Sequence, residues 1–190
     1  MRLASILTIS ALLTTSVVAQ GTHKIQGPQR FSAVALSVGG PETRPVATPV
    51  DIVVERLSTV DEAEKFSSAF KRGQDAALDV LMKFKPVGYI NEPGSLRWTF
   101  RYAQQTVELD GTRKIFLATD RPMDFAENYF NTRSTDYPFT FLELRVNAKG
   151  EGQGTLSRAT KLISDASGRF VAAENYEPQP VKLTQVKLKS

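Results

Sequence analysis

Alternation of apolar and polar residues with a period of two is the feature that most constrains how this chain folds. Over residues 96–102 the even-numbered positions are all apolar and the odd-numbered positions are Arg or Thr. Asp110-Gly111 and Lys149-Gly150 are turn signals between such segments. Strands at this close spacing favour a largely antiparallel sheet, arranged as a sandwich or a barrel. Further strands are predicted over residues 31–38, 50–57, 114–119, 139–147, 154–164, 169–174 and 181–188.

One helical unit, over about residues 59–85, interrupts the strands after the second of them. Thr59 is followed three residues later by Glu62, a spacing that predicts a capping box. The apolar spacing beyond it favours two short helices, over about 60–72 and 74–84, with a glycine between them. The predicted fold class is therefore α+β and mostly β, with an antiparallel sheet, sandwich or barrel-like arrangement and a helical insertion. A loop containing several prolines is expected before the second strand.

Residues 1–19 have the composition of a signal peptide. Arg2 is their only charged residue, and the apolar core at 6–13 is far too short to span a bilayer as a helix. Val17 and Ala19 supply the small residues that a signal peptidase requires. We therefore expect the mature protein to be exported, to the periplasm or the extracellular space.

A flexible polar lead over residues 20–30 and a single globular domain over 31–190 are expected after the signal peptide. The chain has no Cys and one His, which excludes disulfide scaffolds, thiol nucleophiles, Cys-ligated metals and sites that need two imidazoles. The net charge of +4 is dispersed along the chain, so we expect no nucleic-acid partner. No motif calls for a metal or cofactor, and no segment of the mature chain is apolar enough to span a membrane.

The turn after the strand 114–119 carries the first candidate site. Asp120 and Arg121 follow the strand directly, and Asp124 and Glu127 would share one face of a helical turn. A turn or surface ion pair between Asp120 and Arg121 is the simplest interpretation. A ligand-binding role, or acid–base chemistry by the carboxylates, remains open.

Two further groups are candidates for ligand binding. Arg97 and Arg101 share a strand face about 13 Å apart by strand rise, which is too far for a single clamp. With neighbours from an adjacent strand they could bind an anion or a carboxylated ligand, although such arginines are more often the solvated face of a half-buried strand. An aromatic segment either seals one end of the sheet or lines an apolar pocket, with Tyr129 and Tyr137 as candidate ligand contacts. Its members are Phe125, Tyr129, Phe130, Tyr137, Phe139 and Phe141.

Motifs along nearly the whole mature chain resemble those of a family of exported bacterial proteins that has no assigned activity. The resemblance implies an exported single domain and transfers no catalytic residue, ligand or cofactor. The motifs are Phe31, Gly39-Gly40-Pro41, residues 50–56, Gly88-Tyr89-Ile90, Pro93-Gly94-Ser95, Trp98, Arg101-Tyr102-Ala103, residues 118–122, residues 136–140, Asn175-Tyr176, Gln179-Pro180 and Gln185-Val186.

The favoured function is a non-enzymatic exported domain that binds a small apolar or anionic ligand, or a protein partner in the cell envelope. The first alternative is a hydrolase or lyase that uses Asp120, Asp124 or Glu127 as acid and base. The second alternative is a structural component of the envelope. No nucleophile–base pair is apparent in the sequence, which favours binding over catalysis.

Overall fold

The computed structural model describes Ile25 and residues 27–37, 46–94, 97–120, 139–164, 170–175 and 180–189. The predicted signal peptide lies outside these residues, as do residues 20–24 and 26 of the predicted polar lead, whose last two residues belong to the first strand. Within them the chain forms ten strands and two helices. These are β1 Gln29–Ser37, β2 Val46–Val54, α1 Val60–Phe70, α2 Gln74–Leu81, β3 Gly88–Asn91, β4 Trp98–Phe100, β5 Tyr102–Val107, β6 Arg113–Thr119, β7 Phe139–Val146, β8 Glu151–Ser164, β9 Phe170–Asn175 and β10 Val181–Lys189.

The strands form one antiparallel sheet that is nearly closed into a barrel. Its order is β4-β3-β2-β1-β10-β8-β7-β6-β5, and β9 pairs with the far part of β8. β4 and β5, at the two ends of this order, are consecutive in the chain and meet at Arg101, whose amide donates to the Ala118 carbonyl. The Ser58 amide donates a further backbone hydrogen bond to the Ala103 carbonyl of β5. The predicted mostly-β, antiparallel class with a helical insertion after the second strand is confirmed.

The inner face of the barrel is a packed apolar core. Side chains that alternate along each strand point inward, and burying them is the main stabilisation of the sheet. The wholly buried members include Phe31, Ile52, Phe100, Leu117, Leu142, Leu144 and Leu183.

The two helices cover the outer face of β5, β6 and β7. Phe66 of α1 is wholly buried there, with its ring centroid 4.8 Å from that of Tyr102 and 6.4 Å from that of Phe84. The predicted capping box is present: Thr59 Oγ1 accepts from the Glu62 amide, and the Glu62 carboxylate accepts from the Thr59 amide. Neither of these helices, the two in the described part of the chain, has the length and hydropathy to cross a bilayer.

Two sequence predictions about the strands are corrected by the structure. The sequence predicts a loop over residues 46–49, but these residues begin β2. Before Asp51, β2 pairs only with β1, so its other edge is free and tolerates Pro49, which has no amide hydrogen to donate. Trp98, Phe100 and Tyr102 were predicted to share one face. A bend at Arg101 separates β4 from β5, so Phe100 packs in the barrel while Tyr102 packs under the helices.

Candidate functional site

Arg101 and Asp120, two of the residues singled out in the sequence, form an ion pair in the structure. Arg101 Nε donates to Asp120 Oδ1 at 3.0 Å, and Arg101 Nη1 donates to the Phe84 carbonyl at 2.9 Å. Thr119 Oγ1 also donates to Asp120 Oδ1. The Asp120 side chain is only 10% exposed and that of Arg101 is 29% exposed. The described partner of Asp120 is therefore a residue 19 positions earlier, and neither group is the solvated side chain that the sequence favoured.

A second ion pair, between Arg56 and Glu62, repeats this arrangement at the next backbone carbonyl, that of Lys85. Arg56 binds Glu62 through both terminal guanidinium nitrogens, at 2.7 and 2.9 Å, and its Nη2 also donates to the Lys85 carbonyl. The hydrogen bond from Arg56 holds the pKa of Glu62 below its usual value. We call Arg56, Glu62, Arg101 and Asp120 the arginine clamp, because its two arginines bind the consecutive carbonyls of residues 84 and 85. The clamp fastens the end of the helical unit to the barrel.

Tyr102 lies beside this clamp and is unsuited to acid–base chemistry. Burial raises the pKa of its hydroxyl, and the negative charge of Glu62 raises it further. A tyrosine in this environment stays protonated at any physiological pH. Its ring packs against Phe66 and Phe116 as part of the outer core.

The remaining predicted site residues are dispersed. Arg97 is exposed and its guanidinium stacks over the ring of Tyr89, 4.6 Å from the centroid, so it does not join Arg101. Arg121, Tyr129 and Tyr137 lie outside the described residues, as do Asp124 and Glu127.

The described part of the aromatic segment belongs to the core. Phe139 is wholly buried and Phe141 is 5% exposed. Phe139 packs on Phe66 and Phe70, and Phe141 stacks on Phe116 with the ring centroids 5.0 Å apart. These two residues therefore pack between the sheet and the helices. The other four members of the segment lie outside the described residues.

An open groove of about 560 Å³ lies between the two helices. Val80 and Phe84 provide apolar surface at its base, while Arg72 and Lys83 are exposed on its rim. Within the described residues, neither rim cation has a carboxylate partner. Its remaining lining residues are Asp61, Glu64, Lys65 and Ser68.

The chain matches no known family model, no curated protein and no solved structure. A function must therefore be argued from the site itself.

The volume and composition of the interhelical groove suit a small ligand. Cavities of roughly 300–1,000 Å³ with apolar walls and a few polar groups are typical of small-molecule sites. Asp61 and Lys65 neutralise each other at 2.7 Å. Glu64 is then the one unpaired acid on a rim with two cations, so the groove favours a single negative charge among the residues described.

A second cleft, of about 440 Å³, lies at the turns after β5 and β7 and is a weaker candidate. Its charges satisfy one another: Glu108 binds both Lys114 and Arg145, and these bonds hold its pKa below the usual value. Asp110 accepts from the Thr112 amide and hydroxyl. Across the described ranges, no group of three or more His, Cys, Asp or Glu side chains is placed to hold a metal ion.

The sequence does not reveal the interhelical groove, because apolar periodicity identifies only the buried face of each helix. Lys65, Ser68 and Arg72 follow one another at helical spacing, just beside the buried Phe66 and Ala69.

The register of the β5–β6 hairpin is the sequence signal for the ion pair between Arg101 and Asp120. Counting outward from the turn at Asp110-Gly111 brings residue 101 alongside residues 119 and 120.

Proposed function

We propose that this protein is a non-enzymatic exported domain that binds a small ligand with an apolar body and one anionic group in the interhelical groove. The observation that carries the proposal is the pairing of an apolar base with two unneutralised cations. Val80 and Phe84 offer a surface from which water can be displaced favourably. Arg72 and Lys83 can then form charge-assisted hydrogen bonds to the anionic group.

The arginine clamp supports this proposal indirectly. Phe84 lines the groove with its side chain, while its carbonyl is held by Arg101. Arg101 is in turn held by Asp120. A groove base fixed in this way is pre-organised, which lowers the entropy lost on binding. In this proposal the clamp positions the groove and does not contact the ligand.

A binding role accords better than a catalytic one with the surroundings of Asp120. Its carboxylate is occupied by Arg101 and Thr119, and a general acid or base needs free access to the proton that it transfers.

The first test is native mass spectrometry of the mature protein purified from its own envelope extract, compared with the same sample after denaturation. We expect a small co-purifying mass that denaturation removes. A measured chain mass that begins at Gln20 would support cleavage of the predicted signal peptide. A bare chain, or a complex with another protein, would contradict the small-ligand proposal.

Variants of the groove rim make the test specific to this site. We expect Arg72→Gln and Lys83→Gln each to weaken binding of the co-purified ligand by roughly 10- to 100-fold, the range for loss of one charged hydrogen bond. Lys71→Gln is the matched control, because Lys71 is exposed next to Arg72 but does not line the groove. Equal affinities for Lys71→Gln and Arg72→Gln would place the ligand elsewhere.

A further inference from the structure

Three polar side chains interrupt the apolar inner face of the barrel at one end. Gln29 precedes the inward residue Phe31 on β1, and Arg113 precedes the inward residue Ile115 on β6. Arg113 Nη1 donates to Gln29 Oε1 at 3.1 Å, joining two strands that are not neighbours in the sheet. Because each of the two residues shares a strand face with an inward residue, this bond lies at the inner side of the barrel end.

Gln105 of β5 belongs to the same group. It pairs with Ile115 across the β5–β6 ladder, so it lies diagonally next to Arg113 on the same face. Diagonal neighbours are about 7–8 Å apart at the backbone, within reach of two long side chains. We call Gln29, Gln105 and Arg113 the barrel-end cluster.

Two independent features of this cluster indicate a missing partner. Gln105 is 7% exposed, and its Oε1 atom is buried and accepts no hydrogen bond within the described structure. Arg113 is half-buried, and among the described residues no carboxylate forms an ion pair with it. A buried acceptor without a donor is destabilising, and a cation withdrawn from water is normally paired.

The two unmet requirements are complementary. Arg113 needs an anionic acceptor, whereas Gln105 Oε1 needs a hydrogen-bond donor. We propose that the barrel-end cluster binds a small carboxylate that also carries a hydroxyl or amine donor. In this arrangement the carboxylate accepts from Arg113, and the donor satisfies Gln105 Oε1. The barrel-end cluster is on the inner face of the barrel, whereas the interhelical groove is outside it, so this second site goes beyond the function proposed above.

The test compares two probes that differ by one hydroxyl group, glycolate and acetate, in NMR titrations of the ¹⁵N-labelled mature chain. We expect both probes to shift the backbone amides of Gln105 and Arg113 saturably. Glycolate should bind about 2- to 10-fold more tightly than acetate, the range for one neutral hydrogen bond. Neither probe has an apolar body, so a response at the interhelical groove is not expected.

Three variants assign the contacts. Gln105→Leu should abolish the preference for glycolate while keeping acetate affinity, because it removes the acceptor and keeps a side chain of similar size. Arg113→Gln should weaken both probes by about 10-fold or more. Arg145→Gln is the control, since Arg145 is an exposed arginine on the outer face of the adjacent strand β7, and it should change neither affinity.

Several results would overturn this proposal. The absence of saturable shifts with either probe would mean that Gln105 is satisfied by an ordered water alone. Equal affinity for the two probes would remove the role given to Gln105. Unchanged binding by a folded Arg113→Gln variant would remove the role given to Arg113.

Discussion

Replacing Asp120 with Ala tests whether the arginine clamp holds the helical unit on the barrel. The substitution removes two hydrogen bonds and leaves Arg101 without its counter-ion. Breaking a fully buried ion pair from one side costs about 3–5 kcal/mol, whereas an exposed pair contributes about 0–1 kcal/mol. Asp120 is 10% exposed but Arg101 is 29% exposed, so water can solvate the arginine in part. We therefore expect a loss of about 2–3 kcal/mol, between the two limits.

Urea unfolding followed by circular dichroism measures this loss. The control is Asp51→Ala, because Asp51 forms a short 2.6 Å ion pair with Lys189 in which both side chains are about half exposed. We expect Asp51→Ala to lose no more than about 1 kcal/mol. A double-mutant cycle with Arg101→Met and Asp120→Ala should give a coupling energy of at least about 1 kcal/mol, as for side chains in direct contact.

The role of Asp120 in the arginine clamp would be refuted if Asp120→Ala lowered the free energy of unfolding no more than Asp51→Ala. A coupling energy near zero between Arg101 and Asp120 would refute it as well. Either outcome would mean that solvent screens the pair despite the burial of Asp120.

Three further predictions concern single positions. The hydrogen bond from Arg56 lowers the folded-state pKa of Glu62, so the stabilisation from this bond is complete above the ordinary pKa of 4.5 and is lost as the pH falls through the folded-state pKa. We therefore expect the difference in free energy of unfolding between wild type and Glu62→Gln, measured by urea unfolding, to shrink from neutral to acidic pH. A constant difference would contradict this. Gln185 has a φ of 52°, a backbone conformation that favours glycine. We therefore expect Gln185→Gly to raise the free energy of unfolding by up to about 1 kcal/mol, and a lower free energy of unfolding would contradict this. Gly150 has a φ of 77°, and a Cβ there would lie 2.5 Å from Leu188 Cβ. We expect Gly150→Ala to lower the free energy of unfolding by more than about 1 kcal/mol, and with it the thermal midpoint. An unchanged midpoint would contradict this and would show that the turn adapts.

Local features were predictable from the sequence because their causes are local. The Thr59–Glu62 capping box depends only on a spacing of three residues, and both of its hydrogen bonds form. The turn at Asp110-Gly111 depends on a residue that tolerates a positive φ, and Gly111 has a φ of 80°. The mostly-β class followed from the period-two alternation, since this pattern buries one face of each strand.

The closure of the sheet could not be predicted from local sequence patterns. Alternation gives no sign that the strand beginning at Trp98 bends at Arg101 and passes from the inner core to the outer one. Because of that bend, Tyr102 lies beneath the helices and Arg101 faces Asp120. Arg97, which precedes the bend, stacks over the ring of Tyr89 instead.

Arg101 and Asp120 were candidate ligand-binding residues because they are charged and lie near aromatic residues in the sequence. A charged side chain binds a ligand only if the fold has not already paired it. Arg56 and Arg101 are each matched to a carboxylate and a backbone carbonyl, so their charge is already neutralised by the fold. A neutralised guanidinium gains little from an incoming anion, because the anion must displace an equally good partner. Arg72, Lys83 and Arg113 differ, since no described carboxylate balances any of them. Ligand recognition is therefore expected at these unbalanced cations rather than at the arginine clamp.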